Sequence, residues 1–113
     1  MDIQQKHQQF FLEMVLMLHA AAMQQMGKTA NPLSQKIERD LAAAQSTIDM
    51  LDMLENRTRG NLSKEEEHVL KQVLQELKLN YVDEIARAQS SQSNAGPDST
   101  GSGSPAGAKG SVP

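Results

Sequence analysis

The run FFLEMVLMLHAAAM, Phe10 to Met23, constrains the fold of this chain more than any other stretch. Only Glu13 and His19 interrupt its fourteen residues with polarity. A membrane-spanning helix needs roughly 20 apolar residues, and an ionisable group inside one is costly. The run is too short and carries Glu13, so it does not read as a bilayer span. It must be covered by the rest of the chain, by another protein, or by both.

Proline occurs only at Pro32 within the first 88 residues, and glycine only at Gly27 and Gly60. These residues cut the domain into three long pieces, and nothing in them alternates as a strand does. The expected helices span about 3–26, 34–57 and 64–88. Gln, Leu, Met and Ala dominate the first, and Gly27 is placed to end it. At 100° per residue its apolar positions go nearly all round. Phe10, Met14, Met17 and Ala21 share one side. Phe11, Val15, Leu18 and Ala22 lie beside them, with Leu12, Leu16 and Met23 behind.

In the second piece Ser34 is a plausible N-cap. Ile37, Leu41, Ala44, Ile48 and Leu51 make a 4-3-4-3 packing seam, with Ala43, Met50 and Leu54 as a weaker edge. The third opens with Ser63-Lys-Glu-Glu66, a capping box, and puts Glu65, Glu66 and Glu67 in its first turn, where the helix dipole favours anions. Leu70, Val73, Leu74, Leu77, Tyr81 and Ile85 form one stripe. Short loops favour antiparallel neighbours. The expected fold is all-α: three long helices in a small antiparallel bundle over residues 1–88.

Residues 89–113 contain five of the seven glycines and three of the four prolines, and their only large apolar residue is Val112. Such a segment cannot offset the entropy of ordering it, so it reads as a disordered tail or flexible spacer. Its Asp98 and Lys109 cancel, leaving the formal charge of −3 on the helical part. A nucleic-acid binder normally shows a basic patch or stacking aromatics. This chain is mildly acidic, and its aromatics are Phe10, Phe11 and Tyr81. It has no cysteine, so no disulfide framework or thiolate centre can form. The first ten residues lack the cationic start of a signal sequence.

Four groupings invite a chemical reading. Glu65 and His68 have the Glu-x-x-His spacing of di-iron bundles, which need the motif twice plus two more inward carboxylates. Here it occurs once, although a homodimer doubles it, and His68 should face water, opposite the Leu70/Leu77/Tyr81 stripe. His7, His19 and His68 fall on different helices or faces, and His19 reads as a satisfied histidine at an interface edge. Asp49, Asp52 and Glu55 read as a solvated stripe rather than an acid–base pair. Arg57-Thr58-Arg59-Gly60 lies at a helix C-terminus, the wrong end for an anion. No catalytic, cofactor-binding or metal residue is expected.

The segment Ile48 to Val82, IDMLDMLENRTRGNLSKEEEHVLKQVLQELKLNYV, resembles the bacterial family known as domain of unknown function 1844. The resemblance rests on several elements. They are the apolar helix Phe10 to Met26; Asp40-Leu41 with Ala44 and Ile48-Asp49; the turn Arg57-Thr58-Arg59-Gly60-Asn61-Leu62; the acidic start Glu65 to Glu67; and Leu70 to Tyr81. It covers about residues 8–85. The resemblance implies a small, all-helical, cytoplasmic bacterial protein, and it supplies no activity, cofactor or catalytic residue.

By interaxial packing, two stripes from the second and third helices cover about two-thirds of the first. The remainder is expected to be an interface, with Leu12, Leu16, Met17 and Met23 as its candidates and a second copy as the simplest partner. A dimer is favoured, and an unidentified protein partner is the other possibility. The competing monomer wraps helix one more fully, leaving Ala20 and Met23 at the surface. The functional expectation is a non-catalytic interaction module, self-associating as a scaffold or regulator. Two alternatives are a metal-binding bundle using Glu65, His68 and Glu13, and a protein that lays helix one reversibly on lipid. The latter is disfavoured by Lys6 being the only firm cation in the first two turns.

Overall fold

Each helix begins where a side chain can satisfy its free amides. The computed structural model describes residues 2–95, with side chains to residue 90. Helix α1 spans Ile3–Gln25, α2 Leu41–Thr58 and α3 Lys64–Ala95. Among the described residues no strand occurs. Asp2 opens α1 with a capping box: its carboxylate accepts from the Gln5 amide at 2.8 Å, and Gln5 Oε1 accepts from the Asp2 amide at 3.0 Å. Ser63 opens α3 in the same way. Its Oγ accepts from the Glu66 amide at 3.1 Å, and Glu66 Oε1 accepts from the Ser63 amide at 2.7 Å.

Helix α1 ends in a Schellman motif. The Gly27 amide donates to the Gln24 carbonyl and the Lys28 amide to the Met23 carbonyl, with Gly27 at φ +83°. The second helix starts seven residues later than the sequence suggested, and Ser34 does not cap it. Asn31 prevents an earlier start. Its side-chain oxygen accepts from the Leu33 and Ser34 amides, its backbone pairs with Gln35 and Lys36, and its amide donates to Glu38. This knot holds Gln35 at φ +58°, which no helix tolerates. The cap is Asp40, which accepts from the Ala43 amide at 3.0 Å. Ile37 therefore lies in the loop, exposed, and does not join the α2 seam.

The link from α2 to α3 is a type II turn. Arg59 has φ −56° and ψ 127°, Gly60 has φ +85°, and the Asn61 amide donates to the Thr58 carbonyl at 2.9 Å. A Cβ at Gly60 would meet nothing within 4 Å, so the positive φ alone requires glycine there. Gly60→Ala should therefore cost about 1–2 kcal/mol, the penalty of a left-handed backbone, with no steric component. Chemical denaturation checks this; an unchanged midpoint would mean the turn is free to change type.

Internal contacts divide the described residues into 2–81 and 82–95, with α3 contributing to both. In the first unit the helices run up, down, up. The Asp40 amide bonds the Gln25 carbonyl, and Thr47 Oγ1 donates to Gln25 Oε1 at 2.7 Å, so the end of α1 meets the start of α2. Gln8 meets the start of α3 by accepting from Ser63 Oγ and donating to Glu65, and His19 lies beside Glu76. Helices α1 and α3 are therefore parallel. The core is Val15, Ala22 and Met26; Ala44, Ile48 and Leu51; and Leu70, Val73, Leu74 and Leu77. In the second unit Arg87 Nε donates to Asp83 at 3.0 Å and lies 3.8 Å from the buried Glu84.

Helix α3 continues to Ala95, past the expected end at residue 88, because no glycine or proline occurs before Gly96. The expected disordered tail lies outside the described residues from residue 96 onward.

Candidate interface on the first helix

The three apolar arcs of α1 meet different fates. Val15 and Ala22 are fully buried, and Phe11 and Leu18 pack against the core beside them. About 120° round the helix, at 100° per residue, a second arc faces outward. Ile3 and Phe10 are each 59% exposed, Met14 39% and Met17 70%. Ala21, on the same arc, is half-buried. Ile3, Phe10 and Met17 are seven residues apart and Met14 follows Phe10 by four, with His7 filling the place between Ile3 and Phe10. This 4-3 spacing is that of a seam along which helices pack for several turns. Lys6 and Glu13, seven apart on one flank of the seam, carry opposite charges.

The third arc is mixed. Leu16 is exposed, Leu12 is half-buried, and Met23 is half-buried and packs on the core. Of the four residues expected at an interface, Met17 lies in the outward seam, whereas Leu16 is exposed on the third arc, about 130° round the helix from the centre of the seam. Leu12 and Met23 are turned partly inward. Phe10 and Met14 were visible in the sequence as neighbours of Met17 on one side. Only the positions of α2 and α3 decide that this side faces out. Ala20 is exposed and Met23 half-buried, and with Phe10, Met14, Leu16 and Met17 also exposed the first helix is covered less fully than the wrapped arrangement supposed.

The area is considerable. At ~200 Å² for a fully exposed side chain of this size, Ile3, Phe10, Met14 and Met17 together leave on the order of 450 Å² of apolar surface in water. That lies within the range of the largest patch on an ordinary monomer, ~300–600 Å², a size that is often functional.

The other groupings do not converge. Glu65 is bonded to Gln8, Glu66 to Ser63 and Glu13 to Gln9, and His68 is exposed. Asp52 accepts from Lys78 at 2.9 Å, joining α2 to α3. Among the described residues, no three His, Asp or Glu side chains stand together as a metal site. His19 Nε2 lies 3.3 Å from Glu76 Oε1, within ion-pair range. The nitrogen is nevertheless buried without a hydrogen-bond partner, so His19 is not the satisfied histidine its sequence setting suggests. Two clefts flank the Thr58–Ser63 turn. One, of about 300 Å³, is lined by Glu55, Arg59, Glu67 and Lys71; the other, of about 410 Å³, by His7, Gln8, Asn61 and Glu66. The first has mixed charges, and the Thr58 and Ser63 hydroxyls that line the second are held by the Leu54 carbonyl and by Gln8 and the Glu66 amide. No described helix is long and apolar enough to cross a membrane.

The sequence pattern of the family described as Domain of unknown function (DUF1844) matches residues 8–83. The chain belongs to this family. In this DUF1844 protein the match takes in Phe10, Met14 and Met17 of the seam, the Thr58–Ser63 turn and the whole buried core. Ile3 precedes it. No curated protein and no solved structure matches the chain.

Proposed function

We propose that this protein is a non-catalytic interaction module that associates with a second copy of itself along the outward seam of α1, serving as a scaffold or regulator. The observation that carries the reading is the exposed line Ile3, Phe10, Met14 and Met17, with its seven-residue repeat. Three features favour a second copy. A 4-3 seam on one helix fits the same seam on another. The ~450 Å² of apolar area, with a polar rim around it, supplies more than half of the ~800 Å² per partner of a stable interface. The flank carries one cation and one anion, Lys6 and Glu13, so the face has no excess of one sign to repel its copy. An anionic lipid surface or a nucleic acid would call for a surplus of cations.

Sedimentation velocity over about 1–100 µM, the affinity expected of an interface at the small end of the stable range, tests this directly. The expected result is a concentration-dependent shift from monomer to dimer. A parent chain that stays monomeric throughout would overturn the reading. Leu16 lies about 100° round the helix from Met17, so Leu16→Lys should weaken association less than Met17→Lys.

A further inference from the structure

With seven methionines and no cysteine, the thioethers are the only sulfur groups this chain offers to an oxidant. The structure grades them sharply. Met26 is fully buried and Met23 packs on the core, whereas Met14, Met17, Met50 and Met53 are exposed. Met14 and Met17 lie in the outward seam of α1, and Met50 and Met53 face out from α2.

We propose that Met14 and Met17 are sites of reversible oxidation, and that their conversion to sulfoxide dissolves the self-association of α1. The inference rests on the self-association reading above. The oxidant is hydrogen peroxide, a two-electron oxygen donor. The thioether sulfur attacks one peroxide oxygen, the O–O bond breaks, an S–O bond forms, and the departing hydroxide takes up the remaining proton as water. Sulfur loses two electrons and peroxide gains them. Reversal takes two electrons and two protons from a dithiol, through the methionine sulfoxide reductases, and releases water.

The coupling to association follows from where the sulfur lies. A thioether fills an irregular apolar contact well, and a sulfoxide there would bury a strong acceptor with no donor facing it. In the paired state the seam is covered, so oxidation proceeds through the free monomer and holds the chain there. Absence of cysteine matters because a reactive thiolate would otherwise consume peroxide first. Met50 and Met53 serve as an internal control: each is 51% exposed, between the values for Met14 and Met17, on another helix and outside the seam.

The test compares the parent with the double variant Met14→Leu/Met17→Leu, each before and after peroxide. Sulfoxides are mapped by peptide mass spectrometry, fold by circular dichroism and association by sedimentation velocity. Oxidised parent carrying sulfoxide at residues 14 and 17 should associate about tenfold or more weakly, with helical content unchanged, and reductase treatment should restore it. The double variant should associate like the parent and keep doing so after peroxide, although its Met50 and Met53 are oxidised. Met14 and Met17 should also oxidise more slowly as protein concentration rises, whereas Met50 and Met53 should not. The proposal is overturned if the oxidised parent associates as before, or if the double variant loses association to the same extent. Should the untreated parent be monomeric at every concentration, the self-association reading itself has failed. Should it dimerise and ignore sulfoxide in the seam, only this inference has.

Discussion

Leu77→Ala lowers the free energy of unfolding by about 2–5 kcal/mol. Leu77 is completely buried in the middle of α3, between Leu70, Val73 and Leu74 on its own helix and the core residues that α1 and α2 contribute. Removing its isobutyl group forfeits the transfer free energy of the lost carbons and leaves a cavity that three rigid helices cannot close. A helical domain of this size has a total stability of only about 5–15 kcal/mol, so the variant gives up a large share of it. At about 4–8 °C per kcal/mol for a small domain, the melting temperature falls by about 8 °C or more. Urea unfolding followed by circular dichroism, at one low protein concentration, gives the number. A loss under about 1 kcal/mol would mean that Leu77 is not the centre of the core.

The complementary result comes from the outer side of α1. Phe10→Lys/Met17→Lys is expected to raise the dimer dissociation constant about 100-fold or more, since each copy would place two cations in a seam meant to be dry. The same change should move the stability of the monomer by less than about 1 kcal/mol, because both side chains already stand mostly in water. Analytical ultracentrifugation and dilute-solution unfolding read the two quantities separately. Association that survives would show that the seam is not the contact surface. Collapse of the fold would show that Phe10 or Met17 supports the core after all.

These opposite expectations mark what could be read from the residues alone. The inward stripes were legible because helical spacing identifies them without knowledge of neighbours: Leu70, Val73, Leu74 and Leu77 are buried as their spacing implies, as are Ala44, Ile48 and Leu51. The Ser63 capping box was legible because its partners are three residues apart. The Asp2–Gln5 box offered a comparable signal, acid followed by Gln at the same interval, and was missed. The start of α2 was not legible. Ser34 and Asp40 are both acceptable caps, and the choice falls to Asn31, whose bonds to Leu33, Ser34 and Glu38 fix a turn between them. Thr47 gave no sign of burial either, since its partner Gln25 is far away in sequence.

The outward seam is an intermediate case. The apolar arcs of α1 were evident, but an arc cannot announce which way it faces. Phe11 and Val15 turn inward and Phe10 and Met14 outward through the placement of the other two helices alone. Family membership adds a boundary, residues 8–83, and leaves the chemistry of the surface to its side chains.

The bonds from Gln8 to Ser63 and Glu65 join residues 55 and 57 apart. Such a distance suggests a slow search, but the topology removes most of it. Once α1 and α2 have formed their hairpin, the six residues from Thr58 to Ser63 are all that must bend for α3 to lie beside α1. The closure entropy is then that of a short loop rather than of half the chain. The fold can assemble by successive local steps, the kind of route that lets helical domains form in microseconds to milliseconds.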